Sequence, residues 1–565
     1  MYRVRLGMMG AALGGLFLAA CSPETPEARG PVPAGDPSIE MEPDGIRAHM
    51  AFLADDLLEG REAGTRGEAL AALYIRTQFE QIGLKPAGES GGYLQTFPVR
   101  TTRLVRGSVD FTVIGPRGDG RRFENGGDIA VFGDPLEADQ EISGEVIFAG
   151  YGIDAPELEI NDYENLDVKG KVVAVLGGPP AFLPPAEAAH YGSTWQQRRT
   201  AEAHGAMGVI ILWTPALEER WQFDRFRNIL GRTDFDWIGK DGTPHVIAPG
   251  IRLRAFVRAS AAQALLAGTP HTLAELIDAA KTRSPEGFPL ETQVSLARKS
   301  VHDDSLTATN VAGLLPGSDP RFSNEVVVVS AHYDHIGIGE PVDGDAIYNG
   351  AGDNALGTAI VIELARKLAA MKTIPRRSVL FLAVGAEEKG LIGSDYFAEN
   401  PTVERGRLAA NINIDGGLPF YDFRDVIGFG SEHSQVSGLL AEAAGELGIS
   451  LAPDPFPGQG FFARSDQYSF IRRGIPGVFL FTGFTSMDGE NVGREIWDRI
   501  NIEHVHKPSD DLSLPFDYEV IAKFADVARR LVLRTAAASE APKWYEDSAI
   551  GQIFAPDRPK ARRPE

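Results

Sequence analysis

Residues 324–335 read NEVVVVSAHYDH, a run of four valines that ends on a histidine. An uninterrupted β-branched run of this length is a strand buried on both faces. The same grammar recurs downstream. SVLFLAV (378–384), LAANINID (408–415) and GVFLF (477–481) are further buried strands. Between the first two lies a glycine-rich turn, then NALGTAIVIELARKLAAM (354–371), whose Leu356, Ile360, Leu364 and Leu368 share one helical face. A last helix is expected over about 518–538. Apolar strands alternating with helices predict an α/β fold, a mostly parallel mixed sheet with helices on both faces.

Upstream, Ile46, Met50, Leu53 and Leu57 recur at helical spacing, and a second helix runs from Thr65 to about Gly83. The middle of the chain reads as β-rich, with GEVIFAGYGI, GKVVAVLGG and GAMGVIILW as short strands and a helix near 196–205. Its histidines, His190, His204 and His245, are scattered and read as ordinary surface or core residues. The expected organisation is 1–20 signal peptide, 21–44 disordered tether, 45–125 first part of the main domain, 126–300 inserted domain, 301–540 site-bearing domain, and 541–565 irregular tail.

A chain of 565 residues exceeds one ordinary core. Its net charge of -23 argues against nucleic acid as a partner and mildly favours ligands with a free amine, although an acidic surface also serves solubility. Cys21 is the one cysteine, so no disulfide forms within the chain. It closes a basic start (Arg3, Arg5) and a short apolar run from Leu6 to Ala20. That run is too short for an ordinary membrane span and reads as an export signal. The ending LAAC resembles a bacterial lipobox, which implies cleavage before Cys21, acylation of its thiol and a protein held at the cell envelope, outside the cytoplasm and periplasmic, with membrane contact through that lipid. An ordinary export signal with an incidental cysteine is the alternative.

The strands end on metal-ligand types. His332 closes the first, Glu387 and Glu388 follow the second, Asp415 follows the third, Asp353 precedes the long helix, and His506 stands later in EHVHKPSDD. An open α/β sheet places its chemistry at such carboxyl ends. Singly, each has a plain reading: Asp353 a helix N-cap, Asp415 a turn acid, the Glu pair a solvated loop, each histidine a core residue. As a set, nitrogen and carboxylate donors without thiolate suit zinc, with cobalt or manganese as alternatives. Two such ions need a bridging carboxylate and stand about 3.5–4 Å apart. Glu387, beside a ligand, is placed to act as general base. Asp334 is placed to accept the second ring N–H of His332.

These residues resemble family-28 metallopeptidases, the co-catalytic two-zinc aminopeptidases. The H-x-D of His332 and Asp334, Asp353-Asn354 with flanking glycines, Glu387-Glu388, Asp415, and His506 with Asp510 occur in the family's order, although the glycine spacing before Asp353 is loosened. The resemblance implies two zinc ions per chain. Asp353 would bridge, His332 and Asp415 would complete one position, and Glu388 and His506 the other. Glu387 would be general base and acid, and Tyr468 in RSDQYSF is the candidate for stabilising the oxyanion. The middle region resembles the inserted protease-associated domain of such enzymes. The implied reaction is hydrolysis of the N-terminal peptide bond by water activated between two zincs, on peptides or proteins with free N-termini. Phe456 to Arg464 is a candidate substrate-pocket segment, and its aromatics serve equally as packing.

Three other functions remain open at this stage. A carboxypeptidase or dipeptidase would need a basic pocket, for which Arg464 or Arg472 is available. A glutaminyl cyclase would use one zinc, which the presence of both His332 and Asp415 opposes. A catalytically inactive binding protein would have lost ligands, and this chain keeps all five.

Overall fold

Valine-rich strands without a polar face need cover on both sides, and helices supply it. The computed structural model describes residues 40–564 apart from 228–229, 231, 323 and 405–406. The export signal, Cys21 and the tether up to residue 39 lie outside the described residues. The strands Val326–His332, Ser378–Val384, Leu408–Ile414 and Gly477–Thr482 are buried at every position. They run parallel, with 326–332 between 378–384 and 408–414, and 477–482 beyond. Antiparallel strands extend the edges. Phe288–Leu315 pairs with 378–384, Leu94–Leu104 pairs with it, and Asp234–Trp237 follows. At the other side Asp425–Phe429 pairs with 477–482. The result is a mixed α/β sheet whose centre is parallel.

Alternation along each strand divides the core in two. Val327, Val329, Ala331, Val379, Phe381 and Ile412 face the helices Pro43–Leu53, Arg66–Ile82, Leu356–Ala369 and Tyr518–Ala537. Val326, Val328, Leu380, Leu382 and Leu408 face Phe397 and Phe470, from the helices Ile392–Glu399 and Gln467–Ile471. The first helix begins at Pro43, inside the segment expected as tether, because proline suits the first helical turn. The second is capped by the Thr65 side chain and stopped by left-handed Gly83, as its sequence predicts.

A second sheet occupies the middle of the chain, and it is α/β rather than purely β-rich. Asp139–Phe148, Val172–Leu176, Gly208–Leu212 and Leu253–Val257 run parallel to one another. Helices such as Thr194–Ala203 and Ala259–Leu265 cover its two faces. The strands Asp110–Ile114 and Gly120–Phe123 belong to it through pairing with residues 293–297, so the chain leaves the first sheet before Asp110, earlier than the expected boundary at 125. Phe288–Leu315 serves both sheets, pairing with Asp139 at Lys299 and with Leu104 at Ser300. The tail is not irregular throughout. Ser548 caps the helix Ala549–Phe554, and fully buried Trp544 donates to the Gly474 carbonyl at 3.1 Å.

Candidate metal centre

The site forms where the parallel strands end. His332 is the last residue of its strand, Asp415 follows Ile414, and a tight turn at Gly385-Ala386 delivers Glu387 and Glu388. Asp353 lies in the wide turn Ala351–Ala355 ahead of the long helix; the helix N-cap is Ala355, so capping does not explain this aspartate. His506 comes from the loop after the helix Val492–Glu503.

His332 Nε2 stands 3.2 Å from Asp353 Oδ1 and 3.1 Å from Asp415 Oδ1. His506 Nε2 stands 3.2 Å from Asp353 Oδ2 and 3.3 Å from Glu388 Oε2. Asp353 therefore gives one oxygen to each histidine. Donors held about 2.0–2.1 Å from a tetrahedral zinc ion lie roughly 3.3 Å from one another, so the spacing and the nitrogen–oxygen donor set both fit such ions. All five sequence-predicted ligands meet here.

The local field asks for positive charge. Burial opposes a charged His332, but Asp415, Glu387 and Asp353 outweigh it and hold its pKa well above the usual range. Glu388 is the chief cause of the rise of His506 to about 9. That ring is hemmed in by protein although its side chain is 49% exposed. Asp353 is held well below the carboxylate range: burial works against its charge, and its contacts with His332 and His506 overcome that. Glu387 goes the other way, pushed well up by burial, partly opposed by His332 and reinforced by Asp415 and Glu388.

A surrounding layer fixes these groups. Asp334 was expected to hold the His332 ring. Its carboxylate instead accepts the Glu387 N–H at 3.0 Å and the Glu388 N–H at 3.3 Å, fixing that turn. The His332 Nδ1 lies nearer the Asp334 carbonyl, at 3.2 Å, than its carboxylate, at 3.8 Å. Burial pushes Asp334 up to about 6. Asp510 accepts from the Gly352 and Asp353 N–H groups at 2.8 and 3.1 Å and so places the bridging loop.

Sequence reasoning missed three members of this layer. Ser465 donates to Asp415 Oδ2. Arg61, fully buried, donates to the carbonyls of Tyr333, Asn349 and Gly350, tying the first and second ligand loops together. His335 lies beside Glu388. The one available signal was a third ligand-type residue within His332-Tyr333-Asp334-His335.

Tyr468 is corrected. Its hydroxyl meets His190 Nδ1 at 2.6 Å, and its ring packs among Trp195, Phe462 and Phe554, away from the ligand set. It joins the second sheet's helix Pro185–Tyr191 to the first unit. His190 is accordingly a buried core histidine, within the range expected for it, at the contact between the two units. Phe456 and Phe461 pack with Phe429, Phe479, Phe481, Phe484 and Trp497 in a buried aromatic cluster, so the aromatics of the candidate pocket segment serve as packing. Phe481 also reaches the backbone next to Asp415, within 3.9 Å of where a Cβ on Gly416 would stand. Arg464 lies over the Phe461 ring at 5.5 Å, accessible to solvent and within electrostatic reach of Glu387 and Asp415.

Fold and site together define a class: a mixed α/β sheet with a two-position nitrogen–oxygen cage at its strand ends. The model of peptidase family M28 matches residues 310–532. The chain is 33% identical over 181 residues to leupeptin-inactivating enzyme 1 of Streptomyces exfoliatus, covering 31% of this chain and 36% of the relative. It is 30% identical over 135 residues to aminopeptidase YwaD of Bacillus subtilis, covering 24% and 27%. The matches thus span about a quarter to a third of those relatives. The solved aminopeptidase from Aneurinibacillus sp. strain AM-1 aligns over 89% of this chain and 96% of its own, at 19% identity and a TM-score of 0.49.

Proposed function

We propose that the chain is a metal-dependent exopeptidase, an aminopeptidase that cleaves the N-terminal peptide bond of peptides or proteins. The observation that carries this reading is Asp353, held between His332 and His506 with one oxygen toward each. His332, Asp415 and Asp353 would hold one zinc ion, and Asp353, Glu388 and His506 the other. Two divalent ions so held supply polarisation of the scissile carbonyl and activation of water at neutral pH.

The remaining work falls to the protein. Glu387 takes a proton from the attacking water and returns it to the leaving nitrogen. Asp334 keeps that carboxyl in place through the backbone of the turn. The acidic surroundings attract the free amine of the substrate.

A dipeptidase or carboxypeptidase action is the second reading. Arg464 favours it: among the described residues its guanidinium meets no carboxylate, and its one hydrogen bond is to the Gln459 carbonyl at 3.5 Å. The second sheet would be the protease-associated insertion, shaping access through its contact with the Phe456–Arg464 segment. Lipidation at Cys21 would hold the enzyme at the bacterial envelope.

Replacing Glu387 by Gln tests the mechanism. Hydrolysis should fall by about a hundredfold or more while metal content stays at the wild-type level. An unchanged rate would remove Glu387 from the chemistry.

A further inference from the structure

His335 has no place among the five ligands, yet it lies against them. Its side chain is wholly buried, three residues beyond His332. Its ring centroid is 5.8 Å from that of His506, edge to face. Nδ1 stands 2.8 Å from Glu388 Oε1. Donor atoms of His335, Asp353 and Glu388 all fall within 4.8 Å of one another.

Other buried histidines are placed differently. His49 reaches Tyr74 and Glu363, His190 reaches Tyr468, His332 reaches Asp415, and His433 reaches Ser548. Among the described residues His335 is the buried histidine whose only close polar contact is to a candidate ligand: Nδ1 faces Glu388 Oε1, and Nε2 meets no partner. A buried ring nitrogen and carboxylate oxygen at this distance hold each other in place. The ring packs closely on the backbone of Gly350, at φ +59: a Cβ there would lie 2.5 Å from His335 Cγ.

The two oxygens of Glu388 are thus divided, Oε2 toward His506 and Asp353, Oε1 toward His335. We propose that His335 is a positioning residue of the metal centre: it secures Glu388 from behind and sets how tightly the second metal position is held. At the first position His332 and Asp415 stand directly at strand ends, and Ser465 already secures Asp415. The second depends on a half-exposed histidine from a loop. The inference rests on the two-metal reading.

The test is zinc binding to the full mature chain, measured by metal analysis at equilibrium and by titration of the metal-free protein. Wild type, His335→Ala and His335→Asn are compared, with circular dichroism as a check on folding. The asparagine amide nitrogen occupies nearly the place of Nδ1. His335→Ala should keep the first zinc at wild-type affinity and weaken the second by about 10–100-fold, the range for loss of a group that orients a ligand. His335→Asn should recover most of that loss. Equal weakening of both sites together with lost stability in both variants would mean a packing role and overturn the proposal, as would unchanged affinity for the second zinc in a folded His335→Ala. A wild-type chain that holds one zinc would overturn the two-metal reading itself and this inference with it.

Discussion

The strands Val172–Leu176 and Gly208–Leu212 of the second sheet are as completely buried as Val326–His332 and Ser378–Val384 of the first. Both sheets have parallel centres with helices on two faces. They differ in the residues at the strand ends. In the second sheet the chain continues Gly177-Gly178-Pro179 and Trp213-Thr214-Pro215; in the first it ends on His332 or turns into Glu387-Glu388. The architecture makes a crevice at strand ends, and the residues placed there decide whether it carries chemistry.

That difference can be broken from either side. Asp353→Ala removes the proposed shared ligand and should bring peptide hydrolysis to background and reduce bound zinc, read by metal analysis and a rate assay. Phe148→Ala, in the second sheet's core, should cost about 3–5 kcal/mol in unfolding free energy. The fraction that remains folded should keep its zinc and its kcat, because Phe148 supports packing alone.

Smaller effects sharpen the comparison at the contact between the two units. Burial lowers the pKa of His190 to about 3 from 6.5, so it stays neutral in the folded chain. Below pH 6.5 the unfolded chain takes up a proton that the folded chain does not. The stabilisation is therefore full above pH 6.5 and is lost as pH falls toward 3, with a slope of at most roughly 1.4 kcal/mol per pH unit. Denaturant unfolding from pH 7 to 5 should show a shallower slope for His190→Phe than for wild type. Tyr468→Phe removes that residue's hydrogen bond and should cost about 0.5–1.5 kcal/mol with kcat unchanged. A kcat loss of a hundredfold there would restore Tyr468 to the active site. Thr214→Ala deletes a helix cap at a strand end of the second sheet and should cost about 1 kcal/mol, with no change in zinc content.

Most of the first sheet was legible because its strands are short, continuous and apolar, and its ligands follow those strands directly. His332 and Asp415 needed no more than that. Tyr468 was not legible. It lies in the five-residue helix Gln467–Ile471, where a single position decides between facing the ligands and facing the second sheet. Ser465, three residues earlier, faces Asp415. Asp334 was found but given the wrong partner, since sequence cannot show that the Glu387-Glu388 backbone passes over it. Arg61 is nearly 300 residues from the loops that it ties, beyond the reach of any local pattern. The second sheet's early start was hidden because strand 110–114, which forms a hairpin with 120–123, joins that sheet through residues 293–297, far along the chain.

The central claim is that the cage around Asp353 cleaves peptides from the amino end. The most direct measurement incubates the zinc-loaded mature chain with a mixed peptide library, half of it N-acetylated, and follows products by mass spectrometry. The account predicts stepwise loss of N-terminal residues from the free peptides alone. Loss from the carboxyl end, loss of ammonia from N-terminal glutamine, or no change in any peptide would contradict it.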